Sequence, residues 1–449
     1  MKSNKVPRCW HIKLSLRFAL ITLAPGSSLS AQTFDSALAG DLQFTIDSMR
    51  NAYNLKGISA CVMYPSQGTW KGVTGISHSG VPINHDMEFA IASNTKLFTG
   101  VLLLKLAENN LLQLDDSLHQ FLPEYPNINP DITIRQLLNH TSGLFDVTSI
   151  EGYPDSVLTN PNRIFTPQEL LTWTQAPLFA PGTDWNYCNT NYLLAGLIAE
   201  SVTGQSYGQL LRDSILTPLQ LDSTFLDVYE SVPYEVAHPW QAGVDNSGIP
   251  RIALNSAAWA AGAMYSTSGE MAQWYRALMN GEVIQPESMS EMTTFVGSGN
   301  YGIGITEAIL SGRTVWLHGG TIWGGYNSAM LYDPASDVVV SVLINQLPAQ
   351  AFVVAAQLLE NVIQYSESMN STENKATPFL KLYPNPAGDF VEIDFPDKNI
   401  EHITIYNSMG QFIQEVDQNY FSVSNWPDGL YFVKIHTALG VYTAKLKRD

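Results

Sequence analysis

The 449-residue chain is 45% hydrophobic and 14% charged, long enough for one large core and a smaller companion. Five of its 23 basic side chains fall in the first 31 residues, where there is no acid, so the remainder sets 18 basic groups against 41 acidic ones. A surface that acidic repels phosphate backbones, which excludes nucleic-acid binding as the function.

Residues 1–31 read as an export signal. Lys2, Lys5, Arg8, Lys13 and Arg17 precede the apolar run from Phe18 to Ala24, Pro25-Gly26 ends it, and Ser28, Ser30 and Ala31 offer small residues for cleavage. Seven residues cannot cross a hydrocarbon core of about 30 Å, and no later stretch approaches about 18 apolar residues, so no transmembrane segment is expected in the mature chain. Cys9 leaves with the signal, and Cys61 and Cys188 are expected as free, mostly buried thiols.

Between residues 36 and 365 the texture is mixed. A β-like run, Gly57 to Tyr64, comes early, and Ala329 to Tyr332 and Val338 to Ile344 come late, with helical patterns such as Tyr192 to Glu200 between them. That order predicts one sheet built from both ends of the domain, with a helical region inserted. From Ser366 to Thr377 the chain is polar without apolar periodicity, which predicts a linker over 366–378. Beyond it, alternating runs at Phe390 to Phe395, Ile403 to Tyr406 and Leu430 to Ile435, separated by turn clusters, predict a small all-β sandwich over 379–449. No row of exposed aromatic residues for sugar stacking is evident there.

The chemistry is concentrated at three places. Ser93 and Lys96 form the chain's only Ser-x-x-Lys, where a β-like run gives way to a helix apolar on nearly every face. Residues i and i+3 of a helix face the same way, and a buried ammonium is rare without a partner or a task. A serine beside a partly desolvated lysine is a route to a nucleophilic alcohol near neutral pH, which points to acyl transfer. The second place is Tyr187-Cys188-Asn189, which follows a Pro181-Gly182 turn and opens onto an apolar helix. Its phenol suits proton relay and its amide suits holding a substrate amide, although the pair would equally suit a helix cap. The third is Leu317-His318-Gly319-Gly320-Thr321, a strand expected to end in two glycines where a ligand's backbone approaches closely. A strand-end histidine is, taken alone, more often structural than catalytic.

Taken in order, Ser-x-x-Lys, Tyr-x-Asn and a basic-x-Gly strand resemble the serine penicillin-recognising superfamily, in the branch that holds class C β-lactamases, DD-carboxypeptidases, D-aminopeptidases and related esterases. Leu137 to Leu144, Ala261 to Thr267 and Asp333-Pro334 extend the similarity to about residues 40–365. The resemblance implies an α/β fold of β-lactamase/transpeptidase type, an antiparallel sheet flanked by helices. It implies Ser93 as nucleophile, Lys96 as its activating partner and Tyr187 as proton relay. Asn189, His318, Gly320 and Thr321 would bind substrate, with the Ser93 and Thr321 amides as oxyanion hole, and His140 would hold the loop before Gly143. His318-Gly319 stands where class C β-lactamases usually have lysine and threonine. A mostly neutral imidazole weakens recognition of a substrate carboxylate, which favours peptidase or esterase chemistry over β-lactamase action. The alternatives are a class C-like β-lactamase or a binding protein that keeps the fold without turnover.

The tail resembles the type A sorting domain of the type IX secretion system, through Leu382-Tyr383-Pro384-Asn385-Pro386, Tyr406 to Gln411, Asp428 to Phe432 and the basic ending Lys445 to Arg448. That resemblance implies the secretion machinery as a partner and an extracellular or cell-surface destination. A small molecule or short peptide is the expected substrate. Neither cofactor nor metal is implied, because no zinc-binding His-Glu-x-x-His, nucleophile-elbow or phosphate-loop motif occurs.

Overall fold

The computed structural model describes residues 34–160, 162–248, 251–372, 381–395, 400–408, 411–437 and 440–448. The expected export signal lies outside these residues. The described residues form two compact units that divide between Val362 and Ile363.

The larger unit is built on a seven-stranded sheet. Its strands are β1 (Gly57–Tyr64), β2 (Gly68–His78), β3 (Val81–Pro82), β4 (Thr306–Leu310), β5 (Arg313–Ile322), β6 (Tyr326–Asp333) and β7 (Val338–Ile344), arranged β3-β2-β1-β7-β6-β5-β4 with every pairing antiparallel. The early strand β1 pairs with the late strand β7, Ile58 opposite Ile344 and Cys61 opposite Ser341. The sheet therefore closes around the inserted region, as the order of runs predicted.

β7 is buried at every position and β1 at its first six. Successive side chains of a strand point to opposite faces. Cys61, Val339 and Leu343 join the large core, whereas Ile58, Ala60, Val62, Val340 and Val342, equally buried, lie on the other face. Both faces need cover, which explains runs that are apolar throughout rather than alternating. Helix α1 (Ser36–Ala52) packs on β1 and β2, and α2 (Ser268–Met279) packs on β1 and β7.

The inserted region supplies the other half of the core. The Thr95–Glu108 helix is buried from Thr95 to Leu104, and the Asn189–Thr203 helix from Thr190 to Ala199. Each apolar side chain taken out of water there contributes about 1.5–3 kcal/mol. Gly204, at φ +72°, terminates the second helix in the left-handed conformation that glycine tolerates best.

Two expectations are corrected. The helix Ala351–Thr372 runs through the first seven residues of the predicted 366–378 linker. Its last turns are polar because they have no core face to maintain, and no glycine or proline interrupts the helical pattern before Thr372. Among the described residues of the smaller unit, seven strands form two sheets of three and four. On the three-stranded sheet, Phe390 and Tyr420 stack at 5.3 Å and 8° and are 48% and 52% exposed, with Tyr383 opposite Glu392 and Glu392 opposite Tyr420. An exposed aromatic pair exists after all. It was invisible in the sequence because pairing joins strands about thirty residues apart.

Candidate active site

Ser93 sits in a single 3-10 turn, Ala92–Asn94, which leads directly into the Thr95–Glu108 helix. The turn is clamped from the sheet side: Asn94 Nδ2 donates to Ser328 Oγ at 2.8 Å, and that hydroxyl donates to Ile91 O at 2.8 Å. Ala92, just before the serine, is held at φ +49°, a conformation that costs an L-residue about 1–2 kcal/mol. Such strain persists only where surrounding contacts over-determine it, and it clusters at functional sites. Being in the first turn, the Ser93 amide has no intrahelical acceptor and is free for an incoming oxygen.

β5 runs beside this turn. It continues through Gly319 and Gly320 to Ile322, so the expectation of a strand ending at the glycines is corrected. The glycine at 320 serves the protein's own packing: a Cβ there would lie 2.1 Å from Ile91 O and 3.0 Å from Ala92 Cβ. The Ser93 turn rests directly on the strand backbone. Gly320 is thereby a spacer beneath Ser93, and Thr321 follows it at the cleft edge.

Lys96 is fully buried and its Nζ has three oxygen partners: Ser93 Oγ at 3.0 Å, Asn189 Oδ1 at 2.8 Å and Ala261 O at 2.7 Å. Burial pushes its pKa down to about 7, against an opposing pull from the Asp146 carboxylate. Two of the three partners can only accept. In the neutral amine, two N–H groups satisfy Asn189 and Ala261, and the lone pair is left facing the one partner with a proton to give, Ser93. The Ala261 carbonyl is available because the Arg251–Gly262 helix breaks at Trp259, whose φ of 35° is non-helical. The same break delivers Ala260 O to Thr99 Oγ1 at 2.7 Å.

Tyr187 enters from the loop before the second helix and Asn189 is that helix's first residue; neither side chain caps the helix, whose N-cap position is Cys188. The Tyr187 ring lies 4.9 Å from Lys96 Nζ. Burial raises the phenol's pKa above its ordinary value, with a hydrogen bond to Ser93 countering part of the rise, so it stands as a neutral proton donor. Asn189 is fixed at both ends. Its Oδ1 accepts from Lys96, and its Nδ2 donates to Asp146 Oδ2 at 2.9 Å and Thr148 Oγ1 at 3.2 Å. Both ends of the amide expected to hold substrate are thus occupied within the protein. His140 anchors the loop, its Nδ1 accepting from Cys188 N at 3.2 Å and Asn191 Nδ2 at 3.1 Å. Its ring packs 4.4 Å from that of Tyr187.

His318 lines the cleft with both ring nitrogens engaged. Nδ1 lies 2.7 Å from Gly319 O, which can only accept, so Nδ1 carries the proton and Nε2 accepts from the Tyr301 hydroxyl at 2.8 Å. Burial, then the nearby Lys96 charge, push the imidazole's pKa down to about 3. The third-motif basic residue is a neutral ring at working pH.

The structure therefore brings Ser93, Lys96, Tyr187, Asn189, His318, Gly320 and Thr321 around one cleft. Three participants were not read from the sequence: Asp146, the Ala261 carbonyl and Tyr301. Asp146 lacked any motif of its own. For Tyr301 a signal existed in Tyr301-Gly302-Ile303-Gly304, since Gly304, at φ +69°, packs where a Cβ would lie 2.6 Å from Leu97 Cα. Among the described residues no cluster of His, Cys, Asp and Glu is arranged to hold a metal ion, and Cys61 and Cys188 are free and buried.

Compared with known proteins, the chain matches the family model described as Beta-lactamase over residues 37–363, and that described as secretion system C-terminal sorting domain over residues 381–447. Protein flp of Staphylococcus aureus (strain MW2) is 38% identical over 156 residues, 34% of this chain and 30% of that protein. The putative penicillin-binding protein PbpX of Bacillus subtilis (strain 168) is 30% identical over 219 residues, 48% of this chain and 52% of its own. The chain thus spans about half or less of the length of the curated relatives it matches. Among solved structures, a D-amino acid amidase from Ochrobactrum anthropi SV3 superposes with a TM-score of 0.65 at 26% identity, covering 76% of this chain and 100% of that one. A D-stereospecific amidohydrolase from Streptomyces sp. gives a TM-score of 0.60 at 29% identity, covering 69% and 94%.

Proposed function

The chain belongs to the β-lactamase family and carries a secretion sorting domain, and on that premise we propose that it is a serine hydrolase which cleaves an amide or ester through an acyl-enzyme on Ser93. The sorting domain directs it to the cell surface or the extracellular space, where it meets external substrates. Among the described residues no helix is long and apolar enough to cross a membrane.

In this reading Ser93 Oγ adds to the substrate carbonyl carbon while Lys96, in its neutral form, takes the hydroxyl proton. The oxygen that becomes negative is held by the backbone N–H groups of Ser93 and Thr321, each worth a factor of about 100–1,000. As the bond to the leaving group breaks, the Tyr187 phenol gives its proton to the departing oxygen or nitrogen and regains one from the Lys96 ammonium. Water then attacks the acyl-enzyme along the same path in reverse, releasing the acid and restoring Ser93. Positioned proton transfer adds a factor of about 100–10,000.

The observation that carries this reading is the Lys96 environment: a fully buried amine with two pure acceptors and one hydroxyl within 3.0 Å, its pKa brought to about 7. The neutral, hydrogen-bonded His318 supports uncharged leaving groups over the carboxylate that a β-lactam or D-Ala-D-Ala end presents. The test is a panel of nitrocefin, a p-nitrophenyl ester, D-Ala-D-Ala and D-amino-acid amides, run on the parent and on Ser93→Ala. Ser93-dependent turnover of the ester or an amide, above that of nitrocefin, is the expected result. No Ser93-dependent turnover of any member would instead make the protein a binder that keeps the fold.

A further inference from the structure

Ser93 is shared by two cavities of different character. One, about 560 Å³, is lined by Tyr187, Trp185, Tyr301, His318 and Phe352. The other, about 210 Å³, is lined by Leu193, Leu254, Ala257, Ala258, Ile322 and Trp323 together with Asn189 and Thr148. Tyr153, buried and 5.5 Å from the Trp323 ring, also lines it.

Which cavity takes which half of the substrate follows from the proton. Tyr187, the group placed to protonate the leaving group, lines the larger cavity and is absent from the lining of the smaller one. The leaving group therefore departs into the larger cavity, and the acyl group occupies the smaller. Neither lining contains an Asp, Glu, Lys or Arg among the described residues. Asp146, which binds the Asn189 and Thr148 of the smaller lining, spends one oxygen on the Asn189 backbone and side-chain amides and the other on the Thr148 backbone amide and hydroxyl. A charged ammonium in the smaller cavity would find no counter-ion and would sit close to Lys96.

We propose that the smaller cavity is an acyl-group subsite that selects an uncharged acyl donor bearing an apolar substituent about the size of a benzyl group. A cavity of about 150 Å³ is large enough for benzene, so 210 Å³ has room for a ring with its methylene among Leu193, Leu254, Ile322 and Trp323 and excludes much larger groups. Ala257, Ala258 and Trp323 all line this cavity, which makes these residues the determinants of size. This inference rests on the acyl-enzyme reading of the same serine.

The test compares kcat/KM for p-nitrophenyl phenylacetate and p-nitrophenyl acetate in the parent, Ala258→Phe, Trp323→Ala and Ser93→Ala. Burying a phenyl group in the acyl subsite is expected to favour phenylacetate by at least about 30-fold in the parent. Ala258→Phe, which fills the cavity, should bring that ratio below about 3. Trp323→Ala, which widens it, should raise p-nitrophenyl naphthylacetate relative to phenylacetate by about tenfold. The p-nitroanilide of N-acetyl-D-phenylalanine should exceed that of free D-phenylalanine by more than tenfold. Ser93-dependent turnover with ratios that neither variant moves, or a preference for the free ammonium, overturns the subsite. Loss of Ser93 dependence for every ester and anilide overturns the underlying reading instead, and the subsite with it.

Discussion

Replacing Asp146 by asparagine should move the acid limb of the pH–rate profile downward. Asp146 does not touch Lys96; Asn189 stands between them, 2.8 Å from the ammonium and 2.9 Å from the carboxylate. Two charges about 7 Å apart at an effective dielectric of about 20 interact by about 2 kcal/mol, or about 1.5–2 pH units. The carboxylate favours the ammonium, so its presence raises the pKa of Lys96 while burial lowers it. Removing the charge leaves burial unopposed and lowers that pKa further. The reactive form is the neutral amine, so the parent should lose activity as pH falls through about 7 and the variant only as it falls through about pH 5–6. Asparagine keeps the side-chain shape and one oxygen to accept from the Asn189 amide. The assay is kcat/KM for a p-nitrophenyl ester from about pH 4.5 to 9 at constant ionic strength, because kcat/KM reports ionisations of the free enzyme. A limb that moves upward would refute Lys96 as the base. A drop in the plateau with an unmoved limb would reduce Asp146 to orienting Asn189.

Three other outcomes follow from the geometry. Tyr187→Phe should depress kcat by about 100-fold or more with little change in KM, measured by steady-state kinetics on an amide; a variant that loses affinity but keeps turnover would remove the relay. Gly320→Ala places a methyl 2.1 Å from Ile91 O and must displace the Ser93 turn or the strand. A shift of about 1 Å at the nucleophile costs about 100-fold in kcat/KM, and thermal melting should show about 1–3 kcal/mol of lost stability; unaltered kinetics would contradict the packing described. Deleting residues 381–449 should retain the protein inside the cell envelope, detectable by blotting cell and medium fractions; undiminished export would deny the tail its sorting role.

Much of this arrangement was legible because it rests on short-range spacing. Ser93 and Lys96 lie one turn apart, and no fold-level information is needed to place their side chains together. The pairing of Gly57–Tyr64 with Val338–Ile344 was foreseeable from two apolar β-like runs at opposite ends of one domain. What escaped depends on contacts between distant segments. Asp146 reaches Lys96 through Asn189, forty-three residues away in sequence. The Ala261 carbonyl is presented by a break at Trp259 that neither proline nor glycine marks in the chain. Tyr301 reaches His318 Nε2 from seventeen residues away. Gly320 was read as an opening for ligand because the close neighbour that requires it, the Ile91 carbonyl, belongs to another part of the chain.

Intact-protein mass spectrometry after exposure to a fluorophosphonate tests the central claim most directly. One adduct per chain, mapped by peptide sequencing to Ser93, formed faster above pH 7 than below it and absent from Ser93→Ala, is the predicted result. Equal labelling of the alanine variant, or no adduct on the parent, would contradict an activated serine at this position.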